Sequence, residues 1–171
     1  MKKISMLLVV LAMATTAFST PGQDAPERRI AVSRTVNNSF VKNFGQASNV
    51  SWKQTDELYF AHFTLNEKEM FAAYDEKGDL VAVSKTIPFS QLPLAVSMSL
   101  KEQYADYRLG DQVIEMVLEG YTNYYLSAEG KTKNLTLKCF NDGRIDVAFR
   151  TKRRVDQYAL LSPEKITATR N

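Results

Sequence analysis

The chain has one cysteine and one histidine in 171 residues. A single thiol cannot close an internal disulfide, and Cys139 with His62 falls short of the His/Cys cluster that zinc or haem sites need. Seven Gly and five Pro are too few for a low-complexity or collagen-like chain. There is no Gly-rich phosphate loop, no G-x-S-x-G elbow and no H-E-x-x-H pair. No metal, cofactor or catalytic residue is therefore expected, and the chain is not read as an enzyme. Apolar runs are short as well, none approaching the roughly 20 residues that span a bilayer, so no transmembrane segment is expected.

What the chain does have begins with an export signal over residues 1–19. Lys2 and Lys3 form a basic start, Met6 to Ala14 an apolar stretch, and Ala17-Phe18-Ser19 places small residues before a cut near Ser19–Thr20. The expected location is periplasmic or extracellular. Loss of Lys2 and Lys3 lowers the net charge from +3 to +1, and a near-neutral chain has no basic field to gather nucleic acid. Only Arg150, Lys152, Arg153 and Arg154 are locally basic, either as a solvated strand end or as a contact for an anionic lipid or polysaccharide. Residues 20–32, with Pro21, Gly22, Asp24 and Pro26, read as a flexible leader.

From Ser33 to Gln46 the apolar positions Val36, Phe40, Val41 and Phe44 fall on one helical face. Strands follow from Val50, over Leu58 to Leu65, over Met70 to Tyr74 and over Leu80 to Ile87, with turns at 66–69 and 75–79. Pro88 and Pro93 bracket a break, after which Val96, Leu100, Tyr104 and Tyr107 mark a second helix over Pro93 to Tyr107. Four more strands are expected over Gln112 to Gly120, Tyr121 to Ala128, Asn134 to Phe140 and Ile145 to Arg150. Tyr59-Phe60 answers to Tyr124-Tyr125, and Tyr74-Asp75-Glu76-Lys77-Gly78 to Phe140-Asn141-Asp142-Gly143. The expected fold class is α+β, with two α-β-β-β-β repeats forming an antiparallel sheet and two helices on one face. The repeats run over about residues 33–88 and 89–152 within a single domain 33–171. Two separate small domains are the alternative, and each would bury little core alone.

The order Val50-x-Trp52, Tyr59-x-Ala61-x-Phe63, Ala73-Tyr74-Asp75-x-x-Gly78, Ile87, Leu92-Pro93-x-x-Val96 and Tyr104-x-x-Tyr107 resembles the PepSY-like, beta-lactamase-inhibitor-like domains of secreted bacterial proteins. The match is clearest over residues 38–107, and residues 108–150 resemble a second, diverged copy that lacks the Trp. The resemblance implies a helix-plus-sheet fold, a periplasmic or extracellular location and a binding rather than catalytic role. It carries over no inhibitory contact.

Strand alternation sends Phe60, His62, Phe71, Tyr125, Lys138, Phe140 and Arg150 away from the helices, with Val147 and Phe149 inside. Exposed aromatics beside cations favour protein contact, so these seven residues are the candidate binding surface for another envelope or extracellular protein or peptide. A homodimer covering the same face and plain exposure to solvent are the alternatives, and a one-residue slip in any strand would exchange the faces. A second reading is a carrier holding an apolar or anionic ligand between sheet and helices, with Arg150 and Lys152 at its mouth. Cys139 reads as a small buried hydrophobe, or else as a thiol that cross-links two copies.

Overall fold

The computed structural model describes residues 31–55 and 57–152. The expected signal segment, most of the expected leader and the pair Arg153-Arg154 lie outside the described residues. Val32, the last leader position, packs against the first core.

Helix α1 spans Arg34–Asn43 and begins where Ser33 Oγ accepts a hydrogen bond from the Val36 backbone N–H at 3.2 Å, satisfying an otherwise orphaned donor. Lys42 stands in its last turn, where the carbonyl dipoles favour a cation. Four strands follow: β1 Ser48–Gln54, β2 Leu58–Leu65, β3 Lys68–Asp75 and β4 Leu80–Pro88. A single 3-10 turn over Phe89–Gln91 leads to helix α2, Leu94–Gln103. The chain then adds a two-residue strand β5 (Arg108–Leu109), β6 Gln112–Leu118, β7 Tyr121–Glu129, β8 Lys133–Phe140 and β9 Ile145–Lys152.

The β2–β3 turn and the end of α2 differ from the sequence expectation for local reasons, β1 starts at Ser48 rather than Val50, and β5 has no counterpart in it. The β2–β3 turn was expected over 66–69 but needs only Asn66 and Glu67, whose φ values of 51° and 63° give the tight hairpin twist, so β3 starts at Lys68. Helix α2 stops at Gln103, and Tyr104 and Tyr107 lie beyond its end while still packing against the core.

All strands join one antiparallel sheet of nine, in the order β1-β2-β3-β4-β6-β7-β8-β9, with β5 paired to the far end of β7. The ladder is continuous at its centre, where β4 and β6 pair from Ala82↔Leu118 to Pro88↔Gln112. The first four strands and the last four therefore share one sheet.

Both helices lie on one face. Val36 and Phe40 of α1 pack on Ala61, Phe63, Ala72 and Tyr74, with the Phe40 ring edge-on to Phe63 at 5.1 Å and to Trp52 at 5.2 Å. Val96 and Leu100 of α2 pack on Val113, Leu126, Leu137 and Cys139. Each helix also meets a hairpin glycine. A Cβ on Gly78 (φ +83°) would come within 2.8 Å of Ser39 and 3.1 Å of Thr35, and one on Gly143 (φ +88°) within 2.9 Å of Ser99 and 3.0 Å of Ala95. Only glycine allows both the left-handed backbone and the close approach.

Three ladders slip by one residue. One lies between Ser48 and Ser51 on β1, where Asn49 has φ 53°; one between Ala73 and Tyr74 against β4; one opposite Thr136 and Leu137 on β9. The third has a direct effect on the candidate surface.

Candidate binding face

The face opposite the helices is built from β-strand alternation, and cross-strand pairing fixes who stands beside whom. One transverse row runs Ser51, His62, Phe71, Ser84, Met116, Asn123, Phe140, each paired in register with the next. A second runs Lys53, Phe60, Ala73, Ala82, Leu118, Tyr121, and a third contains Ile114, Tyr125, Lys138 and Asp146. Six of the seven sequence candidates, Phe60, His62, Phe71, Tyr125, Lys138 and Phe140, therefore share this face.

Arg150 does not. The slip in β9 places Phe149 opposite Thr136 on the outer face and Arg150 opposite Leu135 on the helix side, reversing both expectations. Arg150 is exposed there and lies close enough to Tyr104, beyond the end of α2, to act on its phenol electrostatically.

The face is also less open than alternation suggests. Tyr125, expected to be exposed, is only 3% exposed, in a cluster with Leu58, Ala73, Ala82 and Met116, against which Phe60, Ile114 and Ala148 pack. Burial pushes its phenol up to about 12. Phe60, Phe71 and Phe140 are half-buried rather than open. Small side chains at Ala73, Ala82 and Ser84 form the floor of the first half of this face, and larger neighbours on β2 and β6 stand over them. Ser84 and Asn123 are the buried polar residues of the row.

Two polar-aromatic groups flank this centre. On β2–β3, the His62 and Phe71 rings stack at 4.5 Å and 20°, and His62 Nε2 lies 4.0 Å from Glu69 Oε2. That nitrogen is buried without a hydrogen-bond partner. On β8 and its following turn, the Phe140 ring carries Lys138 Nζ at 4.8 Å and the Arg144 guanidinium carbon at 3.8 Å. Arg144, Glu69 and Tyr121, which is 75% exposed, were not among the sequence candidates. Arg144 reads as a turn residue in the sequence, where nothing in the strand alternation marks it.

His62 on β2 and Cys139 on β8 face opposite sides of the sheet with β3, β4, β6 and β7 between them. Cys139 is fully buried under α2 and its thiol is pushed up to about 12 by that burial, so it behaves as a core side chain and cannot reach a second copy. Among the described residues, no group of three or more His, Cys, Asp or Glu is placed to hold a metal ion, and no helix is long and apolar enough to cross a membrane.

No family model matches the sequence, and no curated protein matches it. Solved structures do match. A BLIP-like protein from Bacteroides fragilis superposes with a TM-score of 0.60 at 18% identity, over 72% of this chain and 87% of that one. A DUF2874 family protein from Bacteroides ovatus gives 0.62 at 19% identity, over 81% and 99%. A Bacteroides eggerthii protein provisionally assigned to the periplasm gives 0.61 at 14%, over 71% and 88%. The chain thus has the beta-lactamase-inhibitor-like fold that its sequence motifs resemble.

Proposed function

We propose that this chain is an exported, non-catalytic binding module that engages a protein or peptide through the sheet face opposite its helices. The observation that carries this reading is the transverse row from His62 and Phe71 to Asn123 and Phe140, aromatic and polar residues held in register on a face that neither helix covers. A rigid sheet holds such residues at fixed spacing, so little side-chain entropy remains to be lost on contact. The signal-like residues 1–19 support cleavage near Ser19–Thr20 and a periplasmic or extracellular site of action, as does the provisional periplasmic assignment of the Bacteroides eggerthii structure. The matching glycine contacts of Gly78 and Gly143 support descent of both halves, about residues 33–88 and 89–152, from one unit.

The carrier reading has less support. The layer between helices and sheet is filled by fully buried Phe63, Tyr74, Leu100 and Leu137, which occupy the space a ligand would need.

Site-specific photocrosslinking in the envelope of the source cell tests the face. With p-benzoylphenylalanine at Phe71, on the outer face, an adduct with a second protein is expected; at Met98, exposed on α2, none is expected. Adducts from Met98 alone would move the contact to the helix side, and an adduct between two copies from Phe71 would assign the face to self-association.

A further inference from the structure

The two hairpins that turn against the helices are built the same way. In the first, Asp75 N–H donates to Asp79 O and Gly78 N–H to Asp75 O; in the second, Phe140 N–H donates to Arg144 O and Gly143 N–H to Phe140 O. Each turn also has an aspartate that accepts backbone N–H groups: Asp75 Oδ1 from Lys77 and Asp79, Asp142 Oδ1 from Arg144. The backbone frame is thus matched, but its side chains are not. These hydrogen bonds align Phe140 with Asp75, not with Tyr74 as the sequence suggests, so where the first hairpin has Ala73, Asp75 and Asp79, the second has Lys138, Phe140 and Arg144. The first hairpin shows that this turn forms without a cation or an aromatic ring at those places, so folding does not account for their presence in the second.

Lys138 and Arg144 both rest on the Phe140 ring, at 4.8 Å and 3.8 Å, which keeps two like charges within about one Debye length, roughly 10 Å at 0.1 M ionic strength. Neither is in an ion pair among the described residues, whereas Lys85 is paired with Glu115 at 3.1 Å and Arg108 with Glu129 at 3.8 Å. Asp146, the cross-strand partner of Lys138, stays beyond ion-pair distance, and Asp142 Oδ1 is engaged by the Arg144 backbone. The cluster closes one end of the outer-face row, beside Asn123 and near the exposed Tyr121.

We propose that Lys138 and Arg144, held on the ring of Phe140, anchor a carboxylate-bearing, acidic segment of the partner protein. This rests on the binding-module reading and adds to it the chemistry of the partner. A carboxylate approaching the ring edge relieves the repulsion between the two cations and accepts charge-assisted hydrogen bonds from both, while Tyr121 offers apolar area beside it.

The probe is an N-acetylated, C-amidated hexaglutamate peptide titrated into the whole mature chain at low salt, read by backbone amide NMR. Saturable shifts are expected over residues 121–124 and 138–146, with affinity at least tenfold weaker in Lys138→Gln/Arg144→Gln and unchanged in the control Lys131→Gln/Lys133→Gln. Phe140→Leu keeps both cations, removes the ring that positions them, and should weaken binding severalfold with the amide spectrum otherwise retained. No saturable binding, shifts spread over all basic surfaces, or equal loss in the control would overturn the proposal. If the Phe71 photoadduct survives in Lys138→Gln/Arg144→Gln, the binding module stands and the acidic anchor falls; if wild type gives no Phe71 adduct yet binds hexaglutamate at this cluster, the reverse holds.

Discussion

The two halves of the sheet solve one packing problem with opposite distributions of volume. On the helix face of β2–β3 the cross-strand pairs are Tyr59↔Tyr74, Ala61↔Ala72 and Phe63↔Met70; on β7–β8 they are Tyr124↔Cys139, Leu126↔Leu137 and Ala128↔Leu135. In the first half the alanines make room for Phe40 of α1, and rings fill the rest. In the second half leucines rise from the sheet to meet Val96 and Leu100 of α2. The helix position is shared while the identity of the filler is not, which means that hairpin geometry and total volume, rather than any one side chain, define the layer.

Exchanging filler between halves should break the arrangement. Leu137→Ala is expected to cost about 2–5 kcal/mol through the cavity under α2, and Ala72→Leu about 1–3 kcal/mol through overpacking under α1, both read by equilibrium urea unfolding. Each variant should unfold in one transition, since β6 pairs with β4 along its whole length. Two separated transitions would show that the halves fold as independent units and would refute the shared-sheet account.

The hairpin glycines sharpen the same comparison at a smaller scale. Gly78→Ala and Gly143→Ala should each lose about 2 kcal/mol, because both the positive φ and the contact with a helix are violated. Gly120→Ala, with φ +82° and nothing within 4 Å of the added carbon, should lose only about 1 kcal/mol from backbone strain. Equal losses at all three positions would mean that close approach to the helices adds nothing.

The smallest effect is expected at the seam. Lys85 and Glu115 pair across β4 and β6 at 3.1 Å with both side chains partly solvated. Lys85→Ala should cost less than about 1 kcal/mol, measured at low and high salt, and the difference should shrink as salt rises. A larger, salt-insensitive loss would make this ion pair, rather than the β4–β6 backbone ladder, the principal link between the halves.

Much of this was legible in the sequence because helices and hairpins announce themselves locally. Val36 and Phe40, and Val96 and Leu100, fall on buried helix stripes as their spacing predicts, and six of the seven candidate surface residues lie on the face that alternation assigns. Arg150 was misplaced because a bulge leaves no mark in the alternation itself; Val147-Ala148-Phe149-Arg150 reads as an unbroken period of two. The burial of Tyr125 was hidden for another reason. Its surroundings come from β2, β4 and β6 as well as β8, and a single strand's pattern says nothing about neighbours so far along the chain. Strand β5 has no mark in the sequence, since two residues, Arg108 and Leu109, carry no period at all.

The outermost strands β1 and β9 are two of the three with a ladder slip, and each therefore offers a neighbour an interrupted row of backbone donors and acceptors. A straight strand from another molecule could match only part of such a row before its pairing fell out of step. Outermost strands that pair evenly along their length can template rim-to-rim growth into fibres. The irregularity that turns Arg150 to the helix side thus also works against growth of that kind.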